Sequence, residues 1–314
     1  MLTINYDIKK SIREAFGKEL VKQGEKNPNV VVLDADLSCS TQTKFFAKEF
    51  PDRFFNMGIA EQNMITTAVG LSLTGKIPFA ATFAVFATGR TYDQIRTSVC
   101  YSKANVKIIG THGGITVGED GATHQALEDV SLMRGLPNMT VIVPADCNEC
   151  EQAVAYAAEH NGPVYIRISR NNLVDVYPSD YKFDFSKAVV LKEGCDVTII
   201  SNGDVLSEVI KASELLAQKG INAEVISLPV VKPIDSATII ASAKKTGFVV
   251  TVENHSIYGG IGSAVCEVLA ENSPTKVLRI GVNDTFGQSG TPNELLKFYG
   301  LDAESVMNRI IEKI

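Results

Sequence analysis

A carboxylate and two phenylalanines stand where they could hold a flat ring. Glu61 lies in GIAEQNM, Gly58 to Met64, where an extended segment gives way to a helix. The residues behind it, Met64, Ile65, Ala68, Val69 and Leu71, are small or apolar. Phe83 and Phe86 lie in TFAVF, Thr82 to Phe86, after the next expected strand. Aromatic rings pack on the faces of a heterocycle such as an aminopyrimidine, and a protonated carboxyl donates to a ring nitrogen. Each residue alone has a plainer explanation. A glutamate near a helix start answers the macrodipole, and a lone phenylalanine is more often core.

The elements that must position these groups alternate along the chain. Apolar runs predict strands at Val30–Leu33, Ile77–Ala81, Val106–Gly110, Thr140–Val143 and Val164–Ile168, with helices at about 58–74, 88–103, 125–135 and 147–160. That rhythm implies a parallel sheet covered on both faces. It lapses in the polar stretch from Leu173 to about Gly194, then resumes with strands at Val197–Ser201, Ala223–Leu228, Phe248–Val252 and Lys276–Ile280. The fold class expected is α/β, with two doubly wound, mainly parallel domains at 1–172 and 195–314 and a linker at 173–194. Ligands of such sheets bind beyond the carboxyl ends of the strands. Asp34 and Asp36 follow the first strand, Phe83 the second, His112 the third, Asp146 the fourth and Arg170 the fifth.

The 314 residues exceed one typical domain, and 45% of them are hydrophobic, enough for a substantial core. A net charge of −6 gives no reason to expect nucleic acid or an anionic membrane surface. The opening MLTINYDIKKSIREAF lacks the apolar core of a signal peptide, and no apolar run reaches membrane-spanning length. Six scattered cysteines make no disulfide framework. The expectation is a cytoplasmic protein.

The ordered strings DADLSCS, GIAEQNM, TFAVF, THGGITVGEDGATHQ, IVPAD and YIRISR resemble the pyrimidine-binding half of transketolases, and VTIISNGDVLSEVIKASELL with VENHSIYGGIGSAV resemble the family's C-terminal domain. The resemblance implies thiamine diphosphate, with Glu61 activating the aminopyrimidine, Phe83 and Phe86 walling it, and Asp36 near the thiazolium. It leaves open which phenylalanine makes the main ring contact. By the same resemblance His112 and His124 line the substrate channel, Asp120 reads a sugar hydroxyl, and Arg13, Ser40 and Arg170 bind a sugar phosphate. Histidine can bind hydroxyls and move protons near neutral pH, and arginine offers a fork suited to phosphate oxygens. The sequence departs from the family at Gly89, where many members carry a third aromatic, at Gly113 and at Ala122.

The family's GDG stretch, which holds Mg2+ or another divalent cation and through it the diphosphate, does not occur here. The chain therefore resembles the C-terminal half of a split transketolase. This implies a partner, an N-terminal subunit carrying GDG, in an assembly of two copies of each chain that moves a two-carbon ketol unit between sugar phosphates. The pentose phosphate pathway and a dedicated sugar pathway both remain open. So do two other functions: the β subunit of a 2-oxo acid dehydrogenase, and a cofactor-free scaffold. Four other features have bland explanations. Cys147 and Cys150 form a CxxC without a second pair or a redox context. GGIGSA, Gly259 to Ala264, fails the dinucleotide spacing and suits a tight turn into a helix. His255 is expected in a loop and His160 at a helix end.

Overall fold

A computed structural model describes residues 4–314. Strands such as Val30–Asp34, Lys107–Thr111 and Val164–Ile168 are buried along their whole length, as expected of parallel strands covered on both faces. They belong to a seven-stranded sheet whose order is Val230–Lys232, Thr140–Ile142, Val164–Ile168, Lys107–Thr111, Ile77–Phe83, Val30–Asp34 and Phe54–Asn56. Every neighbouring pair is parallel except the first. One face packs Leu33, Met64, Ile65, Ile108 and Tyr165, the other Phe16, Leu20, Phe79, Ile109 and Ile166.

The second sheet has five strands, ordered Lys276–Val282, Phe248–Ser256, Val197–Ser201, Ala223–Ser227 and Val189–Lys192. Only the last pairs antiparallel. The helix Leu206–Gln218 buries Leu206, Val209, Ala212, Ser213 and Leu216 along one face. The α/β class and the two mainly parallel sheets agree with the sequence reading.

Three local features differ from it. The stretch 173–194 is not a bare connection. Asn172–Val174 pairs with Lys9–Ser11, and Val189–Lys192 forms the edge of the second sheet. Edge strands tolerate polar residues, so no alternation marks them. The helix expected over 88–103 is broken into wide π turns at Phe86–Arg90 and Ile95–Tyr101 around a short Tyr92–Gln94. Thr88 and Thr91 donate their hydroxyls back to the carbonyls of Ala84 and Ala87, at 2.8 and 2.5 Å, a bond that bends helices. His255 lies in the strand Phe248–Ser256 rather than in a loop.

The strand Val230–Lys232 leaves the second sheet's stretch of chain and completes the edge of the first sheet, beside Thr140–Ile142. Lys232 Nζ donates to the carbonyls of Arg134, at 2.9 Å, and Leu136. The two halves are therefore interlocked by backbone pairing. A fragment ending at Ser186 loses this strand and bares the Thr140–Ile142 edge, an exposed template for association. We expect that fragment to aggregate and to melt below the full chain. A soluble fragment with the full chain's cooperative midpoint would contradict the interlock.

Candidate active site

The register Phe83↔Thr111↔Ile168 across three adjacent strands fixes the centre of the site. His112 follows immediately, in the left-handed region at φ 61°, and its ring stacks on Phe83 with centroids 3.8 Å apart. Phe86 lies 5.9 Å from Phe83, nearly parallel to it. His124 meets both phenylalanines edge-on, at 5.5 Å from Phe86 and 6.1 Å from Phe83. Four residues, from the end of one strand, the turn after it and two loops, thus form one cluster.

Glu61 opens the helix Glu61–Leu73 and is 3% exposed. Its Oε1 accepts a hydrogen bond from Arg90 Nη1 at 2.8 Å. The same guanidinium lies over Phe86, 4.4 Å from the ring centroid. A flat, hydrogen-bonding group therefore already bridges this carboxylate and this ring face. Those are the two contacts an aminopyrimidine would make, so the residues fit such a ring. Beside them is a cleft of about 260 Å³, lined by Ile59, Ala60, Glu61, Gln62, Asn63 and Arg90.

A cationic side of the site lies beyond His112. Arg13, on the helix Ile12–Lys26, donates from Nη1 to the carbonyl of Ser40 at 2.7 Å, and its buried Nε has no partner among the described residues. Burial lowers its pKa, and the nearby Arg170 charge lowers it further. Arg170 donates to the Val117 carbonyl and pairs with Glu119 at 2.9 Å. His112 donates to or accepts from Thr111 Oγ1 at 2.9 Å. Burial first, then the charges of Arg13, Arg170 and His124, push the His112 pKa down to about 3, so this imidazole is neutral near pH 7.

Among the described residues, Asp36, Ser40 and Asp120 make no side-chain hydrogen bond to the cluster. Asp36 is exposed at φ 65° and accepts from Asn56 Nδ2 at 3.1 Å. The buried acid of that loop is Asp34, whose carboxylate accepts from Leu37 N–H and from the hydroxyls of Thr41 and Thr43 at 2.5, 2.7 and 2.8 Å. Asp34 pins the loop. Ser40 meets Arg13 through its carbonyl, not its hydroxyl. Asp120 is exposed, and among the described residues its carboxylate has no hydrogen-bond or ion-pair partner. Cys147 and Cys150 are buried, and burial raises both thiols, Cys147 to about 12, which suits packing rather than redox chemistry.

Arg90 was not anticipated. Nothing local in TFAVFATGRTYDQ points its guanidinium at Glu61, 29 residues away. Contacts from the second half were also missed, since nothing local announces them. Gln125 Nε2 donates to the Gln288 carbonyl at 2.9 Å, and Ser289 Oγ to that of Glu119 at 2.8 Å. A larger cavity, about 590 Å³, lies against the second sheet between Leu191, Ile210 and Val225 and holds none of these groups.

Comparison with known proteins decides the family. Residues 8–175 match the transketolase pyrimidine binding domain, and residues 186–306 match the transketolase C-terminal domain. The chain belongs to the transketolase family. It is 51% identical over 308 residues to a protein of Methanocaldococcus jannaschii provisionally named a transketolase C-terminal section, covering 97% of this chain and 96% of the relative. A 6-deoxy-6-sulfo-D-fructose transketolase subunit of a Clostridium species is 42% identical, over 94% of this chain and 92% of its own length. A solved split-gene transketolase, described as an inactive β4 tetramer, superposes with a TM-score of 0.90 at 52% identity, covering 96% of this chain and 98% of that one. The first of these is named for the C-terminal part of a transketolase, and this chain matches the family's pyrimidine binding and C-terminal domains. Transketolases use thiamine diphosphate with a divalent cation, and no described helix is long and apolar enough to cross a membrane.

The buried, neutral His112 of this transketolase chain has a thermodynamic consequence. Unfolding restores an ordinary histidine pKa near 6.5, so between about pH 3 and 6.5 the unfolded state binds the extra proton. Stability due to this group is present above that window and falls as pH drops through it. Urea unfolding at pH 7 and pH 5 should show a loss of about 2 kcal/mol in wild type beyond that in His112→Gln. Equal losses in the two proteins would contradict the buried neutral assignment.

Proposed function

We propose that this chain is the C-terminal subunit of a two-chain transketolase that transfers a two-carbon ketol unit from a ketose to an aldose. The carrying observation is the meeting of Glu61, Phe83, Phe86, His112 and His124 at one sheet rim with Arg13 and Arg170 beside it. Bound thiamine diphosphate would supply a nucleophilic carbon and an electron sink for the unit in transit. This chain would hold the aminopyrimidine, with Phe83 and Phe86 on the ring and Glu61 hydrogen-bonded to its nitrogen once Arg90 gives way. Mg2+ or another divalent cation and the diphosphate fall to an N-terminal partner carrying GDG, in an assembly of two copies of each chain in the cytoplasm.

On the substrate side, neutral His112 can accept or donate at a hydroxyl or carbonyl oxygen, and His124 faces the same space. Asp120, unpaired among the described residues, would read a hydroxyl. Asp36 is proposed near the thiazolium. Arg13, with an unpartnered Nε, and Arg170 take the terminal anion, with Ser40 beside them. The Clostridium relative is named for a sulfonated ketose, so the anion here is either a phosphate or a sulfonate. Family membership favours ketol transfer over 2-oxo acid dehydrogenation, and the intact ring-holding groups favour an enzyme over a scaffold.

Steady-state kinetics of the reconstituted complex separate the two ends of the site. Glu61→Gln should lose most of kcat and slow proton exchange at the thiazolium carbon, with donor KM little changed. Arg13→Ala or Arg170→Ala should raise KM about tenfold or more for phosphorylated or sulfonated ketoses, the equivalent of about 1.5–3 kcal/mol. Neutral ketoses should be hardly affected. Equal losses on charged and neutral sugars would remove the arginines from the anion site. Unchanged exchange in Glu61→Gln would make that carboxylate structural.

A further inference from the structure

The turn that carries His112 is a backbone that needs holding. His112 has φ 61° and Gly114 φ 79°, so two of three consecutive residues occupy the left-handed region. A histidine stays there only where its surroundings over-determine it. The residues that hold it come largely from the other half of the chain.

Asn254, 2% exposed on the strand Phe248–Ser256, reaches across to this turn. Its Oδ1 accepts from Ile115 N–H at 2.9 Å. Its Nδ2 donates to Thr116 Oγ1 at 3.0 Å and to Asp204 Oδ2 at 3.0 Å. The amide thus spends both donors and an acceptor on fixing one loop to one carboxylate. The fit is tight. A Cβ on Gly114 would fall 2.4 Å from the Asn254 amide, so only glycine lets the side chain lie against the turn.

Two further contacts clamp the turn. Asp204 Oδ2 also accepts from Ser169 Oγ at 3.2 Å, the residue before Arg170. The Asn254 carbonyl accepts from Arg167 Nη2 at 2.8 Å, and Arg167 lies so close to Gly113 that a Cβ there would meet its Nε at 2.4 Å. Arg167 is itself anchored by Asp129 at 2.8 Å.

We infer that Asn254 is a positioning residue of the C-terminal domain that sets the His112 turn through Ile115, Thr116 and Gly114. It touches no proposed reacting group and acts through the backbone it holds. The inference rests on the proposed channel role of His112 only for its effect on turnover, not for its effect on the turn.

The test begins with the chain alone. His112 is one of four histidines, so NMR titration of its ring, assigned with His112→Gln, is practical. The groups facing that ring are Phe83, Thr111, Arg13, Arg170 and His124. In Asn254→Ala the turn relaxes and the ring gains water, so His112 should titrate at least roughly one unit higher than in wild type. In the two-chain complex the same variant should lower kcat/KM for the ketose donor about tenfold or more, because the imidazole is misplaced. Thiamine diphosphate affinity should be unchanged. Thr116→Val, which opens no cavity, should shift the titration less and in the same direction, and it serves if Asn254→Ala does not fold. An unchanged His112 titration in a folded variant would overturn the inference. A shifted titration in a complex whose wild type transfers no ketol unit would sink the functional reading and leave the positioning role standing.

Discussion

The site depends on one constraint, the parallel register of Ile77–Phe83, Lys107–Thr111 and Val164–Ile168. That register sets Phe83, Thr111 and Ile168 side by side, so the next residues of each strand emerge together at one rim. His112 can then stack on Phe83 at 3.8 Å, and Arg170 emerges two residues beyond Ile168. The helices behind the strands supply the rest. Glu61 arrives at the start of Glu61–Leu73 and Arg13 at the start of Ile12–Lys26. A slip of one residue in any of these strands would exchange the side chains it sends to the two core faces and scatter the cluster.

Burial then decides the chemistry of each group. His112 is neutral because it is enclosed and because two guanidiniums face it, which leaves its ring free to hydrogen-bond without carrying charge. Two cations kept near each other, with Arg13 Nε unpartnered, make a place that an anion would relieve. Arg90 does the opposite at the other end. It gives a buried carboxylate a counter-charge and covers Phe86 with a flat cation, so a ring entering there replaces contacts rather than filling an empty slot.

Much of this was legible in the sequence because the strands are long apolar runs and the chemical groups sit just after them. The runs at 164–168 and 197–201 match the observed strands residue for residue. Short strands at edges were not legible, whereas the longer edge strand Lys276–Val282 was. Val189–Lys192 and Val230–Lys232 are short and owe their state to neighbours distant in sequence. The π turns near Phe86 escaped because threonine hydroxyls, not hydrophobic period, set that geometry. Arg90 and Asn254 escaped for a related reason. Their partners, Glu61 and the 114–116 turn, lie 29 and more than a hundred residues away.

The central claim is that this chain holds the ring end of thiamine diphosphate and a separate polypeptide holds the diphosphate end. Calorimetric titration with thiamine diphosphate and magnesium tests it most directly, run on this chain, on a GDG-bearing partner, and on the mixture. The account predicts that the mixture binds at least about a hundredfold more tightly than either chain. Tight, magnesium-dependent binding to this chain alone, unimproved by the partner, would contradict it.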